Sequence, residues 1–348
     1  MNLMVKVYLV SGAGLLLFWL LFMLFFGNSR YRHIRTFYKY SLKLSLLIPF
    51  FYLAILTTSL TIFFRDTYPF LPADQWGIRW FLVWTIIVVN YAVTFAAVFV
   101  RPVRVTQGNV AAMHVKFPPN QLIFFPDAVC STCMLAKPAR SKHCSLCGGC
   151  FAFYDHHCIW LNNCVGLGNY KWFAGFLVSN ILIMCYGMAL TGKVILQQFP
   201  GLDFPELSRN AVFRFVQKSW LVMKSTPQNK NNGTLLLLCV LFAMVLFAFT
   251  GEHLRMVYVG ATTNEQDKWG YIQYLIQLEC LYRLETGTYL GERYFERIGP
   301  HDLGLLSLRS NEQVPGLHVS RLVKIDNITE VNNIYDDGFC RNFMKRME

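Results

Sequence analysis

Residues 130–164 read CSTCMLAKPARSKHCSLCGGCFAFYDHHCIWLNNC. Written as spacing, this is Cys130-x2-Cys133-x9-His143-Cys144-x2-Cys147-x2-Cys150-x5-His156-His157-Cys158-x5-Cys164. Seven cysteines and three histidines fall within thirty-five positions. Paired Cys-x2-Cys steps followed by histidine and further cysteine suit tetrahedral zinc, which takes four N or S ligands in a closed structural site. Two such sites need eight ligands, and the stretch offers ten. The simplest surplus is one cysteine and one histidine, and Asp155-His156-His157-Cys158 supplies both side by side. A thiol beside an imidazole and a carboxylate is the raw material of nucleophilic catalysis. The count alone leaves open which histidine is spare. With few long periodic segments, the stretch is expected to form short hairpins and loops stapled by metal.

Outward from this module the chain is a membrane protein. Hydrophobic residues make up 54% of it and charged residues 15%, well under the roughly 25% charged of a soluble domain. Five charge-free stretches account for this: Val7–Gly27, Leu44–Phe64, Trp80–Val100, Trp172–Gly192 and Asn231–Gly251. Each is about the ~20 residues that cross a bilayer as a helix. The first exceeds the usual ~7–15-residue core of a signal peptide and lacks a small-residue cleavage site, so it reads as an anchor. The last opens on Asn231-Asn232-Gly233, and its span is expected from Thr234 to near Val257. The expected fold class is an α-helical multi-pass membrane protein with about five transmembrane helices and a zinc-stapled cytosolic cysteine-rich domain. Its zones are three helices over 1–100, the module over 101–171, two helices and a lumenal loop over 172–257, and a cytosolic tail over 258–348.

Lysine and arginine in short loops set orientation. Arg30, Arg32, Arg35, Lys39 and Lys43 follow the first helix, whereas residues 65–79 carry only Arg65 and Arg79 against Asp66 and Asp74. The module and the tail are thereby placed in the cytosol, where reduced thiolates persist. The basic loop 193–233 pulls the other way and makes the rule equivocal for the second half. Residues 1–251 hold 21 Lys and Arg against 6 Asp and Glu, while residues 252–348 hold 11 against 14. A basic membrane portion suits an anionic lipid surface. Nucleic acid is excluded as a partner, because no basic helix or stripe lies outside the membrane portion. Asn232-Gly233-Thr234 is a glycosylation sequon, but it abuts the membrane and is expected to be unused. The tail is expected to hold one amphipathic helix, about Glu265–Tyr282.

The module resembles the DHHC family of protein S-acyltransferases (palmitoyltransferases). The likeness runs through Lys137-Pro138-Ala139-Arg140-Ser141-Lys142-His143-Cys144, Asp155-His156-His157-Cys158, Trp160-Leu161-Asn162-Asn163-Cys164-Val165-Gly166 and Asn169. Thr262-Thr263-Asn264-Glu265 looks like the family's TTxE motif. That motif, continued by Gln266-Asp267-Lys268-Trp269, and Asn333-Ile334-Tyr335-Asp336-Asp337-Gly338 resemble the family's fungal endoplasmic-reticulum branch, associated with spore-wall formation. One departure is Arg101-Pro102-Val103, where the family often has Asp-Pro-Gly.

The resemblance implies two interleaved zinc sites, Cys130, Cys133, His143 and Cys150 in one, and Cys144, Cys147, His157 and Cys164 in the other. Cys158 is then the nucleophile, His156 its base and Asp155 the orienter. The implied reaction takes a long-chain acyl group from palmitoyl-CoA to Cys158, then to a cysteine of a membrane-associated substrate protein, including SNARE-type proteins. The implied location is the endoplasmic-reticulum membrane with the site facing the cytosol. Arg140 and Lys142 are candidates for the CoA phosphates. Thr263 is a candidate support for Asp155, although Thr-x-Glu before a helix also reads as a cap. Tyr335 is a candidate tail contact docking back on the membrane domain. Two rivals are a non-catalytic zinc module and a RING-like ubiquitin ligase; the adjacent His156-His157-Cys158 has no place in the latter.

Overall fold

The computed structural model describes residues 47–73, 76–200, 210–284, 293–297, 305–314 and 322–348. The expected first span, Val7–Gly27, and the basic loop after it lie outside the described residues. In chain order the described helices are α1 (Ile48–Ile62), α2 (Trp76–Phe99), α3 (Val110–Lys116), α4 (Tyr170–Leu196), α5 (Ala211–Ser225), α6 (Pro227–Tyr258), α7 (Thr263–Gln277) and α8 (Phe339–Met347). The strands are β1 (Lys142–Cys144), β2 (Gly149–Phe151), β3 (His156–Cys158), β4 (Asn163–Val165), β5 (Leu281–Leu284), β6 (Arg293–Arg297), β7 (Leu305–Ser307) and β8 (Val323–Lys324).

Among the described residues four helical segments are long and apolar enough to cross a bilayer: Ile48–Phe70, Gly77–Phe99, Tyr170–Leu196 and Pro227–Tyr258. They expose large apolar side chains, such as Phe81 and Phe95 on α2 and Phe242 and Val245 on α6. Helices apolar all round are at home in lipid. The polar side chains among them face one another. Tyr52 donates to Asn180 Oδ1 at 3.0 Å, and Asn90 Nδ2 donates to Ser179 at 3.2 Å, tying α1, α2 and α4.

The last span starts earlier than the sequence predicts, at Pro227 rather than Thr234. Pro227 sits in the first turn and the Thr226 hydroxyl caps the Asn229 N–H at 3.1 Å, both ordinary helix-start devices. The asparagines that resemble a loop are inside. Asn232 is fully buried, accepting from Thr67 Oγ1 at 2.8 Å and donating to the Asp66 carbonyl at 2.9 Å. That burial leaves the sequon without an accessible amide.

The module consists of hairpins, as expected. β1 pairs with β2 and β3 with β4, both antiparallel. It is fastened to α2 by two asparagines. Asn163 Nδ2 donates to the carbonyls of Ala97 and Val100 at 3.0 and 2.8 Å, and Asn169 Nδ2 to Val100 at 3.0 Å. These bonds satisfy carbonyls that a helix end leaves orphaned. The Arg101-Pro102-Val103 junction then pairs with the module, since the Val103 N–H donates to the Leu167 carbonyl at 2.8 Å and the Val103 carbonyl accepts from the Ala152 N–H at 2.9 Å.

The tail is more ordered than the sequence suggests. α7 spans Thr263–Gln277, shorter than the predicted 265–282, because Leu281 and Tyr282 already belong to a strand. Strands β7-β6-β5-β8 form a four-stranded antiparallel sheet. Its Leu281 joins Phe124, Cys130, Cys150, Phe153, Ile272, Ile325 and Tyr335 in one buried cluster. Module and tail therefore share a core. Tyr335 docks on the module rather than the membrane helices: its hydroxyl donates to Pro118 at 2.7 Å.

Candidate active site and metal centres

The hairpin registers gather the expected metal ligands into two groups that could hold an ion. In β1–β2, His143 lies opposite Cys150; in β3–β4, His157 lies opposite Cys164. Cys130 and Cys133 complete the first group, and Cys144 and Cys147 the second. In the first group Cys133 Sγ is 3.2 Å from His143 Nδ1, and Cys150 Sγ is 3.7 Å from it and 3.8 Å from Cys133 Sγ. In the second, His157 Nδ1 lies 3.6, 3.4 and 3.6 Å from the sulfurs of Cys144, Cys147 and Cys164. Zinc–sulfur bonds of roughly 2.3 Å in a tetrahedron place ligand atoms about 3.8 Å apart. Both groups fit zinc with four protein ligands each.

Alternation along β3 separates the two histidines. Successive residues of a strand point to opposite faces. His157 turns to the metal group, so His156 and Cys158 share the other face, toward the membrane helices. The His156 ring lies edge-on to Phe173, centroids 5.0 Å apart. Cys158 is buried in a cluster with Ala97, Leu161, Tyr170, Phe173, Phe176 and Leu177.

Asp155 anchors this face. Its Oδ2 accepts from His156 Nδ1 at 2.8 Å and from Thr263 Oγ1 at 2.6 Å. Its Oδ1 accepts from Thr263 N–H at 3.2 Å and from Arg346 Nη1 at 3.1 Å. Its own carbonyl accepts from Asn264 N–H at 3.1 Å. Burial opposes ionisation of Asp155, but the His156 hydrogen bond and the charges of His156 and Arg346 outweigh it and hold the carboxyl below its usual range. Burial likewise opposes the His156 imidazolium, yet the Asp155 hydrogen bond and the nearby Cys158 thiol push that ring up to about 10. His156 Nε2 is buried and has no hydrogen-bond partner. It is the free ring atom, since Nδ1 is committed to Asp155.

Asp155, His156 and His253 also lie close enough to suggest a third metal group. Two facts argue against one. Both carboxylate oxygens are already taken by donors, and Arg346 brings a positive charge to within 3.1 Å.

A family model described as DHHC palmitoyltransferase matches residues 123–270. Palmitoyltransferase SWF1 of Debaryomyces hansenii is 40% identical over 317 residues, 86% of this chain and 80% of that protein. The protein of the same name from Candida albicans is 38% identical over 316 residues, 88% and 81% of the two chains. The one from Yarrowia lipolytica is 33% identical over 304 residues, 85% and 77%. The chain belongs to the DHHC palmitoyltransferase family. It is a protein S-acyltransferase of the membrane.

Within this DHHC protein one expectation needs correction. Arg140 does not offer its guanidinium to a phosphate. It is 4% exposed, donates to both Glu265 oxygens at 2.7 Å and to the Gly260 carbonyl at 2.7 Å, and lies against the rings of Phe153 and Tyr335. A buried arginine whose Nε–Nη2 edge is forked onto a carboxylate is committed to that partner and is shielded from a ligand in solution. Lys142 is exposed, with its ammonium 5.9 Å from the Tyr154 ring. Glu265 also accepts the Thr262 N–H at 3.0 Å, so it caps α7 and binds Arg140 together. Gly260, at φ +66°, lets the tail pass close by: a Cβ there would meet Asp336 Cα at 2.8 Å.

Two residues at the site carry no motif in the sequence. Arg346 comes from α8 and His253 from α6. His253 is buried, with its ring centroid 5.6 Å from that of His156 and 5.0 Å from that of Phe173. An ionisable residue near the end of an apolar span was the available signal for His253.

Proposed function

We propose that palmitoyl transfer runs through Cys158, with His156 as proton acceptor and Asp155 as its orienter. The observation that carries the reading is the face shared by His156 and Cys158, with Asp155 2.8 Å behind the ring. In the first step the Cys158 S–H proton passes to His156 Nε2. The sulfur bonds to the thioester carbon of palmitoyl-CoA, the bond from that carbon to the CoA sulfur breaks, and CoA leaves with the proton. In the second step a substrate cysteine gives its proton to Nε2 and its sulfur bonds to the acyl carbon. The bond to Cys158 breaks and Cys158 recovers the proton. Two steps of this kind replace one difficult transfer. A ring of raised basicity favours the proton's passage from sulfur to nitrogen. Zinc, held by the two four-ligand groups, would lock the hairpins so that Asp155, His156 and Cys158 stay in register.

The acyl chain would extend from Cys158 into the helices. An apolar cavity is lined by Leu56, Leu60, Phe63, Ile87, Leu190 and Cys239, among others. Ile87 stands about 15 Å from Ala97 along α2, at 1.5 Å per residue. Ala97 belongs to the cluster around Cys158. Burying each CH₂ there is worth ~0.8 kcal/mol. Lys142 is the exposed cation for the CoA phosphates. The four-zone division of the chain, with module and tail in the cytosol, is supported by the basic residues Arg30–Lys43 and by the reduced thiols. Residence in the endoplasmic reticulum, and SNARE-type substrates with a cysteine at the cytosolic edge of a span, are supported by family resemblance and by the burial of Cys158 against the helices.

The test is incubation of the purified chain with labelled palmitoyl-CoA, followed by peptide mapping. Label is expected on Cys158 and absent from Cys158→Ser. Undiminished acylation in that variant would overturn the assignment.

A further inference from the structure

We infer that Arg346 is a positioning residue for the acyl-transfer reaction, holding the Asp155 carboxylate in the orientation that keeps His156 aimed at Cys158. This rests on the roles proposed above for those three residues. Asp155 Oδ2 serves His156 and the Thr263 hydroxyl, whereas Oδ1 serves the Thr263 N–H and Arg346. Arg346 is therefore the side chain that fixes Oδ1. A carboxylate free to turn about its Cβ–Cγ bond would carry Oδ2 away from the His156 ring. A charged donor on the opposite oxygen blocks that turn.

The guanidinium is itself fixed. It is 3% exposed and its Nη2 donates to the Ala261 carbonyl. Its centre lies 5.0 Å from the Tyr170 ring and 5.9 Å from the Phe153 ring. Ala261 immediately precedes Thr262-Thr263, so one guanidinium holds both the carboxylate and the turn that brings Thr263 to it. The helix carrying Arg346 is anchored separately, as Asn342 Nδ2 donates to Val257 at 3.0 Å and to Asp336 at 2.7 Å. Placing an arginine in a dry pocket is costly unless its partner is charged and well aligned. A purely structural anchor at this position could be apolar. The charge is explained by the carboxylate it meets.

The experiment compares the full-length purified chain with Arg346→Met and Arg346→Lys, following acyl-enzyme formation from palmitoyl-CoA together with bound zinc. Arg346→Met is expected to lower kcat about 10- to 100-fold, the effect of one hydrogen bond to a charged group. Its KM for palmitoyl-CoA should stay within about twofold of wild type and its zinc should be retained. Arg346→Lys keeps the cation but loses the fork to Ala261 and should fall between the two. A kcat within about twofold of wild type for Arg346→Met, a change confined to KM, or equal losses in both variants would overturn the inference. Should Arg346→Met lose its zinc, Arg346→Lys decides: zinc retained, with a lowered kcat and unchanged KM, supports positioning, and any other pattern overturns it. Wild-type rates in the arginine variants with a dead Cys158→Ser would sink this inference alone. An active Cys158→Ser would sink the reading beneath it.

Discussion

Thr263 donates its hydroxyl to Asp155 Oδ2 at 2.6 Å, across 108 positions of sequence. The same residue donates its backbone N–H to Oδ1. The capping alternative for the Thr-Thr-x-Glu run is also realised, but by the neighbouring Glu265 on the Thr262 N–H. One short motif thus starts a helix and supports the carboxylate. Removing the hydroxyl leaves the backbone donor in place. Thr263→Ala should therefore slow acyl-enzyme formation about tenfold, the lower end for a hydrogen bond to a charged group. Thr263→Ser should stay near wild type, since it keeps the donor. Single-turnover labelling of Cys158 measures both.

Arg140 and Lys142 stand two residues apart and should behave differently. Arg140 is paired with Glu265, which is wholly buried. Arg140→Ala strands that carboxylate, and breaking such a pair costs about 3–5 kcal/mol. The expected outcome is a lower thermal midpoint, with the KM for palmitoyl-CoA unchanged in the protein that remains folded. Lys142→Ala should do the reverse: little change in melting and a KM raised a few-fold at low salt, where an exposed cation is least screened. Melting curves and CoA titrations read side by side distinguish the two.

The Cys/His cluster was legible in the sequence because its spacing is local and its chemistry is narrow, whereas its sorting into two interleaved groups came from the family resemblance. The count of ten candidates for eight places left one histidine undecided, and the three-residue strand His156–Cys158 separates them by alternation. What escaped the sequence depends on long-range contacts. Arg140 reads as a free cation between Ala139 and Ser141 because its partner lies 125 residues away. Arg346 lies 191 residues from Asp155, in a basic run that resembles any solvated helix face. The tail sheet was missed because its strands are short and pair with partners distant in the sequence, as Tyr282 does with Lys324.

The Asp155–His156 pair should leave a signature in stability against pH. The folded His156 ring is raised to about 10, from about 6.5 unfolded. The folded state thus holds the proton more tightly, and its contribution to stability is complete below about pH 6.5 and lost as pH rises through the folded value. Asp155 is shifted the other way. Its contribution is complete above the unfolded value of about 3.9 and lost as pH falls toward its depressed folded value. Between these limits the pair contributes fully. The difference in melting temperature between wild type and His156→Gln should accordingly shrink from pH 6.5 to 10. A difference constant across that range would show that the ring gains no proton affinity on folding.

Chain-length selection should follow the cavity walls. Leu190 lines the cavity and is nearly buried on α4, while Gly187 places its Cα side within reach of Cys239. A bulky residue at either position fills space that the far end of a long acyl chain would take. Leu190→Trp is expected to shift preference toward shorter acyl-CoAs, with the rate for the longest chains falling most. Each CH₂ denied burial forfeits ~0.8 kcal/mol, about a fourfold loss. A uniform drop across all chain lengths would instead indicate a packing defect. Competition between acyl-CoAs of different length in a single tube measures the preference directly.

Metal and chemistry should separate at two cysteines of one hairpin. Cys158 lies opposite Asn163 and Cys164 opposite His157, yet only Cys164 belongs to a four-ligand group. Cys164→Ser removes one ligand from a segment too small to hold a core of its own, and structural zinc supplies about 10–16 kcal/mol in small metal-folded units. That variant should lose zinc, expose the module to proteolysis and lose acylation together. Cys158→Ser should retain as much zinc as wild type and the same protease resistance while losing acylation completely. Because the two positions are on adjacent strands of the same ladder, a general fragility of the hairpin would affect both variants alike. Zinc retained only by Cys158→Ser therefore assigns staple and nucleophile to different sulfurs in one experiment.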